Sequence, residues 1–450
     1  IKGDVSKIRA VASESMQSLA KVTEDKNTRV WILKEPPVWK YESYLPTAED
    51  YLPILRIGPV KSDWAQEGRE YLKQIDSLLK PDSKTRAIAS EIAGKLKSEE
   101  EKIRALTAYV QKNITYQAIE FGRRARIPKS AERVITSRYG DCKDQALLLY
   151  QLLKAVDIQA HLALVNTSSN VEPQLPSLDQ FNHMIVRVPG MKAGFLDATN
   201  DSLPACKLPP ELFHHRALVL DPAKPHLEEL PERSLFPSES ISSEREVVFD
   251  SNGTATVKEK LRINGYTASV WRNWAASVQP SERTASIQQM HNNSRWQVED
   301  FATEGLDDNA EELVFNLRYS LPPAASENSA KLTNVSVPSV WESEYLDAPF
   351  LKERRFPMEF IHPVHIQSST TIKLPRQPSE TTLKSFGRNG DSEFGKWKLT
   401  AQALTNSEKQ IKVSFDFQSS GGNYPAARYT DWQSSRGKVM EALRQKLKLD

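Results

Sequence analysis

The chain has 450 residues, with 60 Lys+Arg against 58 Asp+Glu, and the net charge of +2 offers no global basic field for a nucleic acid. Apolar residues make up 39% and charged residues 26%, and 9 Trp, 15 Phe and 13 Tyr exclude disorder as the main state. No stretch reaches the ~20 consecutive apolar residues of a membrane-spanning helix, and the length fits roughly two to four domains. The chain opens on Ile1-Lys2-Gly3 and reads as mature or trimmed, so the lack of a signal peptide says nothing about compartment.

Residues 4–20 carry Val5, Ile8, Val11 and Met16 at helical spacing, and Thr28–Leu33 reads as a strand. The Pro- and Tyr-rich segment 36–59 predicts an extended strap lying on another domain. Ser62 is a candidate cap for a helix with Trp64, Leu72, Ile75, Leu78 and Leu79. Further helices carry Ile88, Ile92 and Leu96, and then Ile103, Leu106, Val110 and Ile114. A short turn at 130–136 precedes a helix from Asp141 with Ala146, Leu149, Leu153 and Val156. Strands are predicted at 161–166, 181–188, 194–198 and 217–220. A Pro/Glu/Ser-rich stretch from Pro222 to about Ser243 reads as a linker. Beyond it, 246–250 and 254–263 predict a hairpin around Asn252-Gly253, 267–291 reads as helical, and 295–302, 311–319, 363–374, 393–404 and 408–418 read as strands. A helix near 428–448 closes the chain. The fold class is α+β, with the C-terminal part an antiparallel β-sandwich decorated by helices.

Two cysteines, Cys142 and Cys206, cannot build a disulfide framework, and no C-x-x-C pair is present for zinc. Cys142 lies in Tyr139-Gly140-Asp141-Cys142-Lys143-Asp144, where Asp141 is a good N-cap and Asp144 a capping-box partner. A cysteine at the first position of a helix faces unpaired backbone N–H groups and the positive dipole end, which favour a thiolate nucleophile and supply part of an oxyanion hole. The alternative is a buried structural thiol, for which this polar setting is poor. His183, in Phe181-Asn182-His183-Met184-Ile185, is the best of the eight histidines to hold the thiol proton. A hairpin centred on Gly190 pairs Ile185 with Phe195, Met184 with Leu196 and His183 with Asp197, which completes a Cys–His–Asp triad. A surface cross-strand His–Asp pair is the plainer reading of those two residues alone.

These residues carry a resemblance. Cys142 on a helix start, then His183 and Asp197 on successive strands, resembles the transglutaminase-like core of the papain-like superfamily. Tyr116-Gln117-Ala118-Ile119-Glu120-Phe121-Gly122, Arg138–Asp144, Leu164–Thr167, Gln180–His183 and Leu196-Asp197-Ala198-Thr199 are similar to a bacterial subgroup with two flanking β-rich domains of unknown function. Position 198 is Ala where the pattern has Pro. The resemblance implies Cys142 as nucleophile, His183 as base and acid, Asp197 as orienter, and Tyr116 or Gln117 as a second oxyanion or cleft residue. It also implies three regions: 1–57 as the remnant of an N-terminal β domain with its strap, 58–228 as the catalytic domain, and 229–450 as a C-terminal β-rich domain. Asp141 and Asp144 read as caps and Glu120 as a loop anchor.

Other features rank lower. Cys206 is a candidate redox partner for Cys142, although a separate thiol is the simpler assignment. His214-His215 lacks a second ligand cluster, no D-x-D-x-D-G calcium loop is present, and no metal or cofactor is expected. Arg123-Arg124-Ala125-Arg126 reads as a solvated loop or as an attractor of acidic substrates. Trp271, Trp274 and Trp296 read as core. The expected function is cysteine-dependent acyl transfer on protein or peptide amides, by hydrolysis or by transamidation through a Cys142 thioester. The alternative is a non-catalytic binding or scaffold protein of the cell envelope with a vestigial triad. The expected partner is a protein or peptide, with no nucleic acid and no membrane span; the sequence sets no oligomeric state. Family habit implies a bacterial, exported protein, periplasmic or cell-surface.

Overall fold

The computed structural model describes the chain except residues 36–37, 119–121, 192–193, 213, 231–238, 251–252, 291–295, 307–311, 323–333, 348–350, 375–377, 405–408 and 450. Two compact units divide it: Ile1–Tyr41 with Leu45–Pro237, and Glu42–Tyr44 with Ser238–Asp450. Residues 1–57 therefore cluster with the region that follows them, except for three residues of the strap.

In the first unit the order is β1 (Ile8–Ala12), α1 (Glu14–Leu19), β2 (Ala20–Asp25), β3 (Thr28–Leu33), α2 (Ala48–Tyr51), β4 (Leu55–Pro59), α3 (Trp64–Ile75), α4 (Ser83–Ala93) and α5 (Glu99–Asn113). Then come β5 (Thr115–Tyr116), α6 (Ala131–Ser137), β6 (Tyr139–Gly140), α7 (Cys142–Ala155), β7 (His161–Val165), β8 (His183–Arg187), β9 (Phe195–Leu196), β10 (Arg216–Val219) and β11 (His226–Glu229). The single helix expected over 4–20 is instead divided into a 3-10 turn (Val5–Lys7), the strand β1 and the short helix α1. Ile8 and Val11 fit a helical stripe, but β1 finds an antiparallel partner in β4, and that pairing overrides the local spacing. Ser13 then caps α1 by accepting from Met16 N. The cap of α3 is Asp63 rather than Ser62, since its carboxylate accepts from Ala65 N.

A five-stranded sheet, in the order β11-β10-β7-β8-β9, carries a core on each face. Leu162, Leu164, Met184 and Val186 face the helices, while Ala163, Val165, Ile185 and Phe195 face a smaller cluster with Leu208 and Leu212. This alternation follows from the two-residue period of a strand. Helix α7 is buried around nearly its whole circumference, with Leu147, Leu148, Leu149, Leu152 and Leu153 all inaccessible. Burying each such side chain contributes about 1.5–3 kcal/mol, so α7 is the anchored centre of the unit.

The second unit contains β12 (Glu239–Phe249), β13 (Ala255–Asn264), α8 (Tyr266–Ser277), α9 (Arg283–Met290), β14 (Gln297–Glu304), β15 (Glu312–Leu321), β16 (Asn334–Ser336), α10 (Val340–Leu346), β17 (Met358–Phe360) and β18 (Val364–Lys373). It ends with α11 (Glu380–Phe386), β19 (Arg388–Ser392), β20 (Gly395–Ala403), β21 (Gln410–Ser419), β22 (Gly422–Tyr424), α12 (Tyr429–Arg444) and β23 (Lys446–Lys448). The α+β class stands, and the β part is an eight-stranded sheet, β14-β15-β13-β12-β18-β21-β20-β19, with two small two-stranded sheets, β16-β23 and β17-β22. It is antiparallel except for the central β12–β18 pair. Its apolar face, including Val257, Phe315, Ile372 and Phe415, packs in one cluster with α8, α10, α11 and α12. Helices therefore do the covering that a second sheet does in a sandwich. Trp271 and Trp296 lie in this core, and Trp274 packs against it. The supposed linker contains β11 and the start of β12, and its residues 231–238 lie outside the described set.

Within the same unit, Arg245 is fully buried. It donates to both carboxylate oxygens of Glu342 (2.7 and 2.8 Å), to Glu259 (2.8 Å) and to Pro338 O (2.9 Å). Glu259 also accepts from Tyr319 (2.8 Å) and from Ser243. From the strap, Glu42 accepts from Arg355 N (3.0 Å) and Phe356 N (3.2 Å), and Arg354 donates to Ser43 O (2.6 Å).

Candidate active site

The start of α7 is built by its own sequence. The Asp141 carboxylate accepts from Asp144 N (3.2 Å) and the Asp144 carboxylate from Asp141 N (3.3 Å), a reciprocal capping box. This puts Cys142 at the first helical position, 5% exposed. Gly140 is needed there because a Cβ on it would lie 2.6 Å from Asp144 Cβ. Both aspartates are fully buried, so their charge has to be answered. Arg124 reaches Asp144 (2.7 Å) and Asp141 (3.3 Å), Lys143 reaches Asp141 (2.6 Å), and Lys129 N donates to Asp144 (2.7 Å). Arg124 is therefore neither a solvated loop residue nor a lure for acidic substrates: it fastens residues 124–129 to the nucleophile helix. Arg126 is paired with Asp179. The side chain of Arg123, and Glu120 as a whole, lie outside the described residues.

His183 begins β8 and donates through Nε2 to Asp197 Oδ2 at 2.8 Å. The register that joins them differs from the expected one. Arg187 pairs with Phe195 and Val186 with Leu196, because Val188 N bonds Gly194 O and the turn is wider. The shift is two residues along the strand. Side chains alternate with period two, so His183 and Asp197 stay on one face and meet diagonally. The other oxygen of Asp197 accepts from Thr199 N (2.9 Å) and Thr199 Oγ1 (2.7 Å), which fixes the carboxylate toward the ring. Gln111 ties down the segment that follows, donating to Asn200 O (2.8 Å).

Burial works against a charged imidazole at His183. The Asp197 charge and hydrogen bond, then the hydrogen bond and charge of Cys142, outweigh it and raise the ring to about 10 from an ordinary value of 6.5. Burial likewise opposes a charged Asp197, but His183 and Thr199 hold it below the usual carboxylate range. The pair is thus an imidazolium–carboxylate couple whose ring also hydrogen-bonds the Cys142 thiol.

A cleft of about 280 Å³ contains Cys142 and His183 and is walled by Tyr71, Ala125–Arg126 and the segment Leu178–Met184. Tyr71 escaped the sequence reading, which assigned α3 only packing residues. Its hydroxyl donates to Arg126 O (2.6 Å) and steadies the wall. Tyr116 and Gln117 are not among the described lining residues. They are exposed on and just after β5, which pairs in parallel with β6, and Gln117 N donates to Gly140 O (2.9 Å).

Cys206 is a separate free thiol, packed against the helical core, with burial pushing it up to about 11. His215 is engaged by Asn166 O (2.5 Å), and among the described residues no cluster of His, Cys, Asp and Glu fits a metal ion. No described helix is long and apolar enough to cross a membrane.

Residues 86–195 match the family model of the transglutaminase-like superfamily. This segment is a transglutaminase-like domain. The match includes Cys142 and His183 and stops two residues short of Asp197. A crystal structure of a Parabacteroides distasonis protein named "putative protease" shares the fold: TM-score 0.57, 15% identity, covering 98% of this chain and 69% of that one. No curated protein sequence matches the chain. The matched segment thus brings Cys142 and His183 to one cleft, and Asp197, just beyond the match, bonds the His183 ring.

Proposed function

We propose that the transglutaminase-like domain is a cysteine-dependent acyl-transfer enzyme acting on protein or peptide amides. The observation that carries this reading is the His183–Asp197 couple, whose 2.8 Å bond leaves the imidazolium facing Cys142 at the start of α7. In this reading the Cys142 thiolate attacks an amide carbonyl. The amides of Cys142 and Lys143, for which no acceptor is present among the described residues, donate to the oxyanion. His183 then protonates the departing amine or ammonia, leaving a thioester on Cys142. Water attacks the thioester in hydrolysis and an amine in transamidation, with His183 accepting the proton of either, and the enzyme is regenerated. Asp197 holds the ring and its charge, and Thr199 holds Asp197.

The test is digestion of a peptide library containing Gln and Lys, read by mass spectrometry for cleavage, deamidation (+1 Da) and cross-links. Cys142-dependent products support the reading. Identical product spectra from wild type and Cys142→Ala sink it and leave the scaffold reading in its place.

A further inference from the structure

We infer that the cleft beside Cys142 is an apolar side-chain subsite, and that the substrates are peptides or proteins carrying an aliphatic or aromatic residue next to the reacting amide. This inference rests on the acyl-transfer reading and names its substrate class. Leu164, Leu178, Phe181 and Met184 line the same cleft as Cys142 and His183. Met184 and Leu164 form its buried part, and Leu178 and Phe181 its half-exposed part. Phe181 is held edge-on against Trp64, with ring centroids 5.7 Å apart, so this wall is preformed.

The charged residues of the lining are already matched. Lys143 is taken by Asp141 at 2.6 Å and Arg126 by Asp179. A charged substrate side chain entering the cleft would lose its water and find no unanswered opposite charge, whereas an apolar one loses nothing. Size argues the same way. At about 280 Å³ the cleft sits just below the ~300–1,000 Å³ of drug-sized pockets, and it suits one large side chain.

The experiment uses Cys142→Ala, which keeps the cleft and lacks the nucleophile, with fluorescein-labelled hexapeptides that differ only at the residues flanking a central Gln. Fluorescence anisotropy is expected to show Leu, Met or Phe peptides binding at least ~10-fold tighter than the Asp, Lys or Gly versions, a factor in the range for apolar pocket discrimination. Adding Leu178→Asp, a change at a half-exposed position, is expected to erase that preference while the circular dichroism melt stays within a few degrees. Equal affinities across the panel, no binding, or a preference that survives Leu178→Asp overturns the subsite. The readout needs no turnover, so the two proposals fail separately. Library turnover without an apolar preference removes the subsite alone, and an apolar preference in Cys142→Ala without any wild-type turnover removes acyl transfer alone.

Discussion

Two buried ionic groups invite comparison. In the first unit the His183–Asp197 couple is closed on the Asp197 side by Thr199 and open on the other toward Cys142 and the cleft. In the second unit Arg245 is surrounded: Glu259, Glu342 and Pro338 O accept its N–H groups, Ser243 donates to the same oxygen of Glu259 as Arg245 does, and Tyr319 donates to the other. Both take charge out of water, which is costly unless every polar atom is matched. The saturated network has nothing left to offer a ligand and acts through the fold. The couple with one face unfilled has a proton available beside a thiol. Function is therefore sought where a buried charge is incompletely enclosed, and burial or ion pairing alone does not mark it.

Four substitutions sharpen this contrast. Cys142→Ala is expected to abolish product formation in the library assay while unfolding free energy in guanidinium chloride changes by no more than about 1 kcal/mol. A loss of several kcal/mol would make the thiol a packing residue. Asp197→Asn comes next, with a fall in turnover of about 10³–10⁴-fold and an alkaline limb displaced to lower pH, because the imidazolium loses its carboxylate. Its stability signature has a definite sign. A ring raised from 6.5 to about 10 stabilises the fold fully below about 6.5 and loses that contribution as pH rises through about 10. Denaturant titrations from pH 6 to 10.5 should show this decline in wild type and a flattened profile in Asp197→Asn; parallel curves would contradict the coupling.

Arg245→Met should destabilise the second unit by about 3–5 kcal/mol by stranding Glu259 and Glu342, with the iodoacetamide labelling rate of Cys142 unchanged. A change in labelling would blur the division between the two groups. Thr199→Val should have the smallest effect. Losing one 2.7 Å hydrogen bond to Asp197 costs about 1–3 kcal/mol, visible as a lower kcat at unchanged KM. Thr199→Ser, which retains the hydroxyl, should restore the rate.

The candidate site was largely legible in the sequence because its elements are local. A capping box announces where α7 starts, and two short strands around a Gly turn bring a His and an Asp to one face under either register. The wider turn was not legible, since hairpin length depends on the backbone between Pro189 and Gly194. Arg124 and Tyr71 were missed for another reason: each meets its partner through tertiary packing, Arg124 across 17 to 20 residues and Tyr71 across 55. The Arg245 network carried no signal at all. Arg245 and Glu259 occupy inward strand positions that composition assigns to apolar residues, and only the register of β12 with β13 shows them facing each other. The same limit applies to the cover of the eight-stranded sheet, because alternation shows that a face is buried and leaves open whether helices or strands bury it.

The all-round burial of α7 has a consequence in amide hydrogen exchange. Beyond its first turn, which faces the cleft, its backbone amides are bonded within the helix and shielded by α4, α5 and the five-stranded sheet, so they reach solvent only when the whole first unit opens and should be among the slowest to exchange. The β2–β3 hairpin, with Val22 and Ile32 nearly half exposed, should exchange far sooner. Warming will then loosen the periphery and the exposed parts of the cleft wall while Cys142 is still held at the tip of an intact helix. Such a partly opened molecule keeps its thiol in place with less cover over it, so oxidation of Cys142 should precede global unfolding as the route by which the protein ages in solution.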